Sequence, residues 1–232
     1  MMKPFTSPSV DWLRSEPFIL RRLKDAYRDI PEKERLICAY RRAPQARHWF
    51  EQSQTLYAES KNVGWYAKPT LLYYAAYALM RLWLLFTRAD YPKRQEELAH
   101  GLAVKKLKPK RFVLCDDTIR VKHEGTFPLY SASRYQYKSA GENWKVAELL
   151  EFIQKHERSD RKVALKTGIP VLLPHLIFLY YTSHLSRYDS ERWMQVLSQE
   201  EESSLYVYIF FERLIPGVFH DLLTPFYRAS DR

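Results

Sequence analysis

Glycine is scarce in this chain of 232 residues, at 6 positions, and the scarcity excludes several function classes at once. Neither GxGxxG nor GxxxxGK[ST] occurs, so a dinucleotide fingerprint and a phosphate-cradling P-loop are both missing. The shortage also argues against an all-β sandwich, whose many tight turns call on glycine. Cysteine is limited to Cys38 and Cys115, far apart and without histidines at zinc-finger spacing, which leaves no disulfide framework and no zinc ribbon. GxSxG, HExxH and CxxC are absent too, so nothing supports a serine hydrolase, a zincin or a thiol oxidoreductase. No cofactor and no metal is expected. The opening MMKPFTSPSVDW has no apolar core behind its lysine, so no secretory signal is read there and a cytoplasmic protein is expected.

Hydrophobic residues make up 46% of the chain and aromatics 15%, the composition of an ordered globular protein. The formal net charge is +10, and its placement says more than its size. Residues 1–112 hold 22 Lys/Arg against 11 Asp/Glu, whereas residues 113–232 hold 15 against 16. Such asymmetry points to an anionic partner: nucleic acid, nucleotide phosphate, an acidic protein face or a membrane surface. Solubility alone is the plainer explanation.

Apolar periodicity predicts helices through most of the chain. One covers residues 17–29, opened by Pro17; a second ends near Pro44; a third begins around Ala46. Residues 69–87, PTLLYYAAYALMRLWLLFT, form the strongest segment, long enough to cross a bilayer. Arg81 and the tyrosines inside it argue instead for a buried core helix, because an arginine at midspan costs about 2.5 to 3.5 kcal/mol even on the lenient scale. No membrane is therefore expected among the partners. A shorter helix opens at Pro92 and ends near Gly101, with His100 at its negative dipole end. Residues 112–130 alternate apolar and polar, with turns at Asp116-Asp117 and Glu124-Gly125, and no strand signal follows them. Asp116-Asp117 is a poor metal pair, since neighbouring strand residues point to opposite faces. Helices resume to the end of the sequence, with Ser190 and Ser203 as candidate N-caps. The fold expected is mainly α: a helical bundle with a small β-hairpin or three-stranded meander inserted near residues 112–130. A basic helical half, residues 1–111, and a second half, residues 112–232, are expected to pack as one domain.

From residue 46 onward, ARHWFEQSQTLY, LLYYAAYALMRLWLLF, AHGL and DDTIRVKHEGTFPLY resemble the YaaC-like family of uncharacterised bacterial proteins. The layout of a long helix followed by a histidine also resembles the HEPN superfamily of helical bundles, which bind nucleotides or cut RNA. HEPN nucleases use an R-x(4–6)-H motif, and Arg94 with His100 match it as R-x5-H. The resemblance implies an arginine on the phosphate and a histidine moving the proton, a metal-free chemistry. On one unbroken helix these two residues sit about 120° apart, so a break in the helix or a second subunit would have to complete the site.

A second candidate is the run Lys105, Lys106, Lys108, Lys110 and Arg111, five cations around Pro109 able to hold phosphates. Arg21, Arg22, Arg41, Arg42 and Arg47 would extend that surface if their helices pack beside it. Helical spacing assigns Trp49, Trp65, Trp83, Tyr73, Tyr74 and Tyr77 to the core rather than to stacked bases, and Tyr180, Tyr181 and His184 likewise. The leading expectation is a cytoplasmic, non-catalytic regulatory protein that binds an anionic nucleotide or RNA through its basic first half and engages a protein partner. The alternatives are a metal-independent endoribonuclease using Arg94 and His100, as a homodimer if the site is completed in trans, and a structural protein-interaction module.

Overall fold

The computed structural model describes residues 8–105, 113–158, 168–198 and 202–227. After a 3₁₀ turn over Pro8–Arg14, the chain forms α1 (Glu16–Ala26), α2 (Glu32–Glu59) and α3 (Lys68–Thr87). Strands β1 (Leu102–Lys105) and β2 (Thr118–Val121) precede α4 (Thr126–Tyr135), and β3 (Asn143–Lys145) leads directly into α5 (Val146–Arg158). There follow α6 (Leu172–Tyr188), α7 (Ser190–Leu197) and α8 (Glu202–Ile209). A π turn over Phe210–Leu214 joins α8 to α9 (Ile215–Tyr227). This is the expected mainly helical bundle with a small three-stranded sheet.

Helix α3 is the axis of the molecule, packed against α2, α4, α6 and α9. By length and a mean hydropathy of 1.2 it could cross a membrane; here its apolar faces are buried against those helices. Arg81 lies with its guanidinium 4.1 Å from the centroid of the Trp49 ring of α2, a cation–π contact that accommodates the charge inside the bundle.

Pro44 does not end the second helix. Helix α2 runs unbroken for 28 residues with Pro44 inside it. Proline removes one backbone hydrogen bond and crowds the preceding turn, at a cost of about 3 kcal/mol. The cost is tolerated because Pro44 and Tyr40 are on the exposed side, where water reaches the freed carbonyl, while Ala39, Ala43, Ala46, Trp49, Phe50 and Tyr57 form one buried stripe across the proline.

The β segment also differs from the alternation pattern. Among the described residues of 112–130, only Thr118–Val121 is a strand; Leu114–Asp116 is a 3₁₀ turn, and Thr126 onward is α4. The partners of β2 lie on either side of that window, in the antiparallel order β1-β2-β3 with Leu102 opposite Val121 and Ile119 opposite Trp144. The helix predicted from Pro92 to Gly101 reduces to a 3₁₀ turn, Gln95–Leu98, whose Glu97 carboxylate is buried and accepts the Lys93 amide at 2.8 Å and Arg88 Nη2 at 3.3 Å. At the start of α7 it is Asp189, rather than Ser190, whose side chain accepts the Arg192 amide. On the other side, α8 opens one residue ahead of Ser203, at Glu202.

Candidate anion-binding site

Residues 97–102 are held by every carbonyl they carry. Thr126 Oγ1 donates to Glu97 O at 3.0 Å and the Tyr77 hydroxyl to Leu98 O. At the N-terminus of α4, the amides of Thr126 and Phe127 donate to Ala99 O at 2.7 Å and His100 O at 3.1 Å. The Lys122 amide reaches Gly101 O at 2.9 Å, and the Tyr180 hydroxyl reaches Leu102 O at 3.0 Å. Backbones this close require glycine: Gly125 has φ +126°, and a Cβ built on it would lie 2.4 Å from Gly101 Cα. Two helix faces, α3 and α6, thus strap one extended segment to the start of α4.

His100 stands in the middle of that clamp, half-buried, its ring among those of Tyr73, Tyr74, Tyr77 and Tyr180 at centroid distances of 4.9 to 6.0 Å. Nδ1 lies 3.0 Å from the Tyr73 hydroxyl. Tyr73 is fully buried, which raises its pKa well above the ordinary phenol range and keeps its proton in place. Burial, then the charges of Arg187 and Lys122, push the His100 pKa down to about 4, so the imidazole is neutral at pH 7.

Arg94 is not one of the cations acting on His100. It is exposed and forms an ion pair of 2.7 Å with Glu124. The R-x5-H spacing therefore does not bring its two members onto a shared helix, because the turn between them is too short to carry both. The cations that act on the imidazole are Lys122 and, more strongly, Arg187 of α6, which no motif in the sequence marks. Its Nε donates to Ser183 O at 3.1 Å, and Nη1 to the hydroxyls of Tyr74 at 2.8 Å and Tyr188 at 3.4 Å. The guanidinium stacks between those two rings, 5.2 Å from Tyr74 and 4.7 Å from Tyr188. Arg187 and Lys122 have no carboxylate within ion-pair distance among the described residues. Tyr74, Tyr180 and His184, assigned to the core by spacing, line this cation-rich place: the His184 ring sits between Tyr180 and Tyr188 at 6.1 and 5.1 Å. The tyrosine pair Tyr180-Tyr181 with His184 three residues on was the local signal for this place.

Of the basic run, Lys105 closes β1 with an exposed side chain, while Lys106, Lys108, Lys110 and Arg111 lie outside the described residues. The five arginines of α1 and α2 split by environment. Arg47 pairs with Glu16 and Glu51, Arg42 bonds Gln45 and Ala89 O, and Arg22 stacks over Trp12. Arg21 and Arg41 are exposed and without an ion pair among the described residues, Arg21 lying over the Phe18 ring; Lys24, Ile37 and Tyr40 are on the same two helices, and Arg28 is in the turn after α1. Lys24 Nζ, 5.1 Å above the Tyr40 ring, links α1 to α2. Asp25 is the acid on that face of α1. Asp117, by contrast, is structural: buried, with a pKa raised by that burial, it accepts the Tyr181 hydroxyl at 2.8 Å and Arg192 Nη1 at 3.4 Å. Asp116 beside it is exposed.

No curated protein matches the chain, and no solved structure does. The likeness to HEPN proteins finds no support in these comparisons. A family model, that of the YaaC-like proteins, matches residues 11–161, a span that takes in α1 to α5, the sheet and His100 but leaves Arg187 outside it. With nearly two-thirds of its length matched, the chain belongs to the YaaC-like protein family.

Proposed function

We propose that this chain is a cytoplasmic, non-catalytic regulatory protein that binds an anionic nucleotide or RNA through its basic first half and a protein partner elsewhere. The observation that carries the reading is the outer face of α1 and α2 with the turn after α1, where Phe18 and Tyr40 are 54% and 61% exposed and Arg21, Arg28 and Arg41 have no ion pair among the described residues. Exposed rings offer stacking to unpaired bases, and arginines offer fork-shaped donors to phosphates, the two contacts that single strands use. Met194 and Leu205, both largely exposed in the second half, supply apolar surface for a protein partner. The reading as a binder is favoured over a nuclease by the chemistry at His100. An imidazole whose pKa burial pushes down to about 4 is a weak base and is neutral at pH 7.

Fluorescence polarisation with a single-stranded RNA tests this. Changing Arg21, Arg28 and Arg41 together to Gln should weaken binding and make the log–log salt slope shallower by about 2, at roughly 0.7 per lost phosphate contact. Unchanged affinity and slope would refute the assignment of this face. Wild-type protein should leave the RNA intact in EDTA; cleavage that disappears in His100→Ala would refute the non-catalytic reading instead.

A further inference from the structure

We infer that the surface around Arg187, Lys122, Tyr74 and Tyr188 is a second, separate binding site, one for a small phosphorylated compound carrying a flat ring, of the nucleoside monophosphate class. It does not depend on the α1–α2 face, and it lies in part in the half of the chain whose charges balance.

The argument begins with Arg187. A half-buried guanidinium is ordinarily paired with a carboxylate, because its desolvation has to be offset. Here its acceptors among the described residues are all neutral: one backbone carbonyl and two phenol hydroxyls. They fix the fork in one orientation without cancelling its charge. Lys122 adds a second cation, exposed and likewise without a carboxylate among the described residues. Both adjoin His100: the Lys122 amide bonds the carbonyl of the next residue, Gly101, at 2.9 Å, and Arg187 bonds the hydroxyl of Tyr74, whose ring centroid is 5.7 Å from the imidazole. Two positive groups on either side of one imidazole, neither with an ion pair among the described residues, form an anion site, and a phosphate monoester matches it in charge and in acceptor count.

The rings supply the rest of the ligand. Tyr188 is 69% exposed, lies against the guanidinium, and continues through His184 to Tyr180 and then His100 as a row of aromatic faces. A planar base stacked on Tyr188 would keep its phosphate within reach of Arg187. The clamp on residues 97–102 gives the site a rigid floor, so little ordering accompanies binding.

Isothermal titration with adenosine monophosphate, and with inorganic phosphate as the bare anion, tests the proposal. Wild-type protein should bind the nucleotide. Arg187→Gln should weaken it by about tenfold or more, and Lys122→Gln by several-fold. Tyr188→Ala should weaken the nucleotide while leaving inorganic phosphate unchanged, since only the nucleotide stacks. Bound phosphate should also move the NMR titration of His100 to higher pH, because its charge offsets those of the two cations. Lys122 and Tyr188 are exposed, so their variants fold whatever becomes of Arg187→Gln. Absence of nucleotide binding by wild type up to about 10 mM, or unchanged affinity in both exposed variants, would overturn the site. Nucleotide affinity lost on changing Arg21, Arg28 and Arg41 but kept in Lys122→Gln and Tyr188→Ala would place the nucleotide on α1–α2 and overturn the inference while leaving the proposed function standing.

Discussion

Replacing Gly125 with alanine tests whether the clamp around His100 is as tight as the backbone distances indicate. The new Cβ would lie 2.4 Å from Gly101 Cα, 2.5 Å from Gly101 N and 2.9 Å from Ala99 O, all backbone atoms that cannot rotate away. Residue 125 also has φ +126° and ψ 174°, a region that is essentially glycine's own, and a side chain there adds about 1 to 3 kcal/mol of strain. Relief requires moving residues 99–101 away from the start of α4 by about 1 Å, judged against ordinary contacts of roughly 3.5 to 4 Å. That movement stretches the bonds from Thr126 N, Phe127 N and Thr126 Oγ1, each contributing about 0.5 to 1.5 kcal/mol. The combined loss is about 2.5 to 7.5 kcal/mol. For a domain of this size each kcal/mol shifts Tm by about 2 to 4 °C, so circular dichroism should show a fall of roughly 5 to 30 °C. Gly217→Ala is the control: its Cβ would meet nothing within 4 Å, and on an α9 turn it should stabilise by about 0.5 to 1 kcal/mol. A Gly125→Ala variant melting within about 1 °C of wild type would refute the close-approach argument.

Stability should also depend on pH through His100. Its folded pKa, about 4, lies below the ordinary 6.5, so the unfolded chain takes up the proton first; the contribution is present above pH 6.5 and is lost as pH falls from there towards 4. The ring is partly open to solvent, so screening reduces the effect to roughly 1 to 2 kcal/mol. Urea titrations of wild type and His100→Asn across that window check it, and identical pH slopes in the two proteins would contradict the depressed pKa. Pro44→Ala should raise stability by about 1 to 3 kcal/mol, because alanine restores the missing amide inside α2 without touching the buried stripe. A loss of stability on calorimetry would mean that Pro44 itself is required for packing.

Much of the helical architecture was legible because its signals are local. Pro17 and the apolar spacing after it mark α1, and the run from Lys68 to Thr87 carries enough helix-forming apolar residues to be recognised alone. The errors fall where a distant partner outweighs a local preference. Pro44 is a helix breaker by itself, and only the stripe buried against α3 carries α2 through it. Leu102–Lys105 and Asn143–Lys145 are too short to show a strand period; each becomes a strand because β2 presents a free edge to it.

The candidate site divides in the same way. Composition alone located the basic excess in the first half, since charge is additive along a chain and needs no fold to be counted. Which cations stay uncompensated is a tertiary matter: Arg47 is matched by Glu16 and Glu51, Arg94 by Glu124, and Arg187 by no carboxylate among the described residues. Pairing depends on distances between residues far apart in sequence, and the packing of α6 on α3 set those distances, bringing Arg187 rather than Arg94 to the tyrosines around His100.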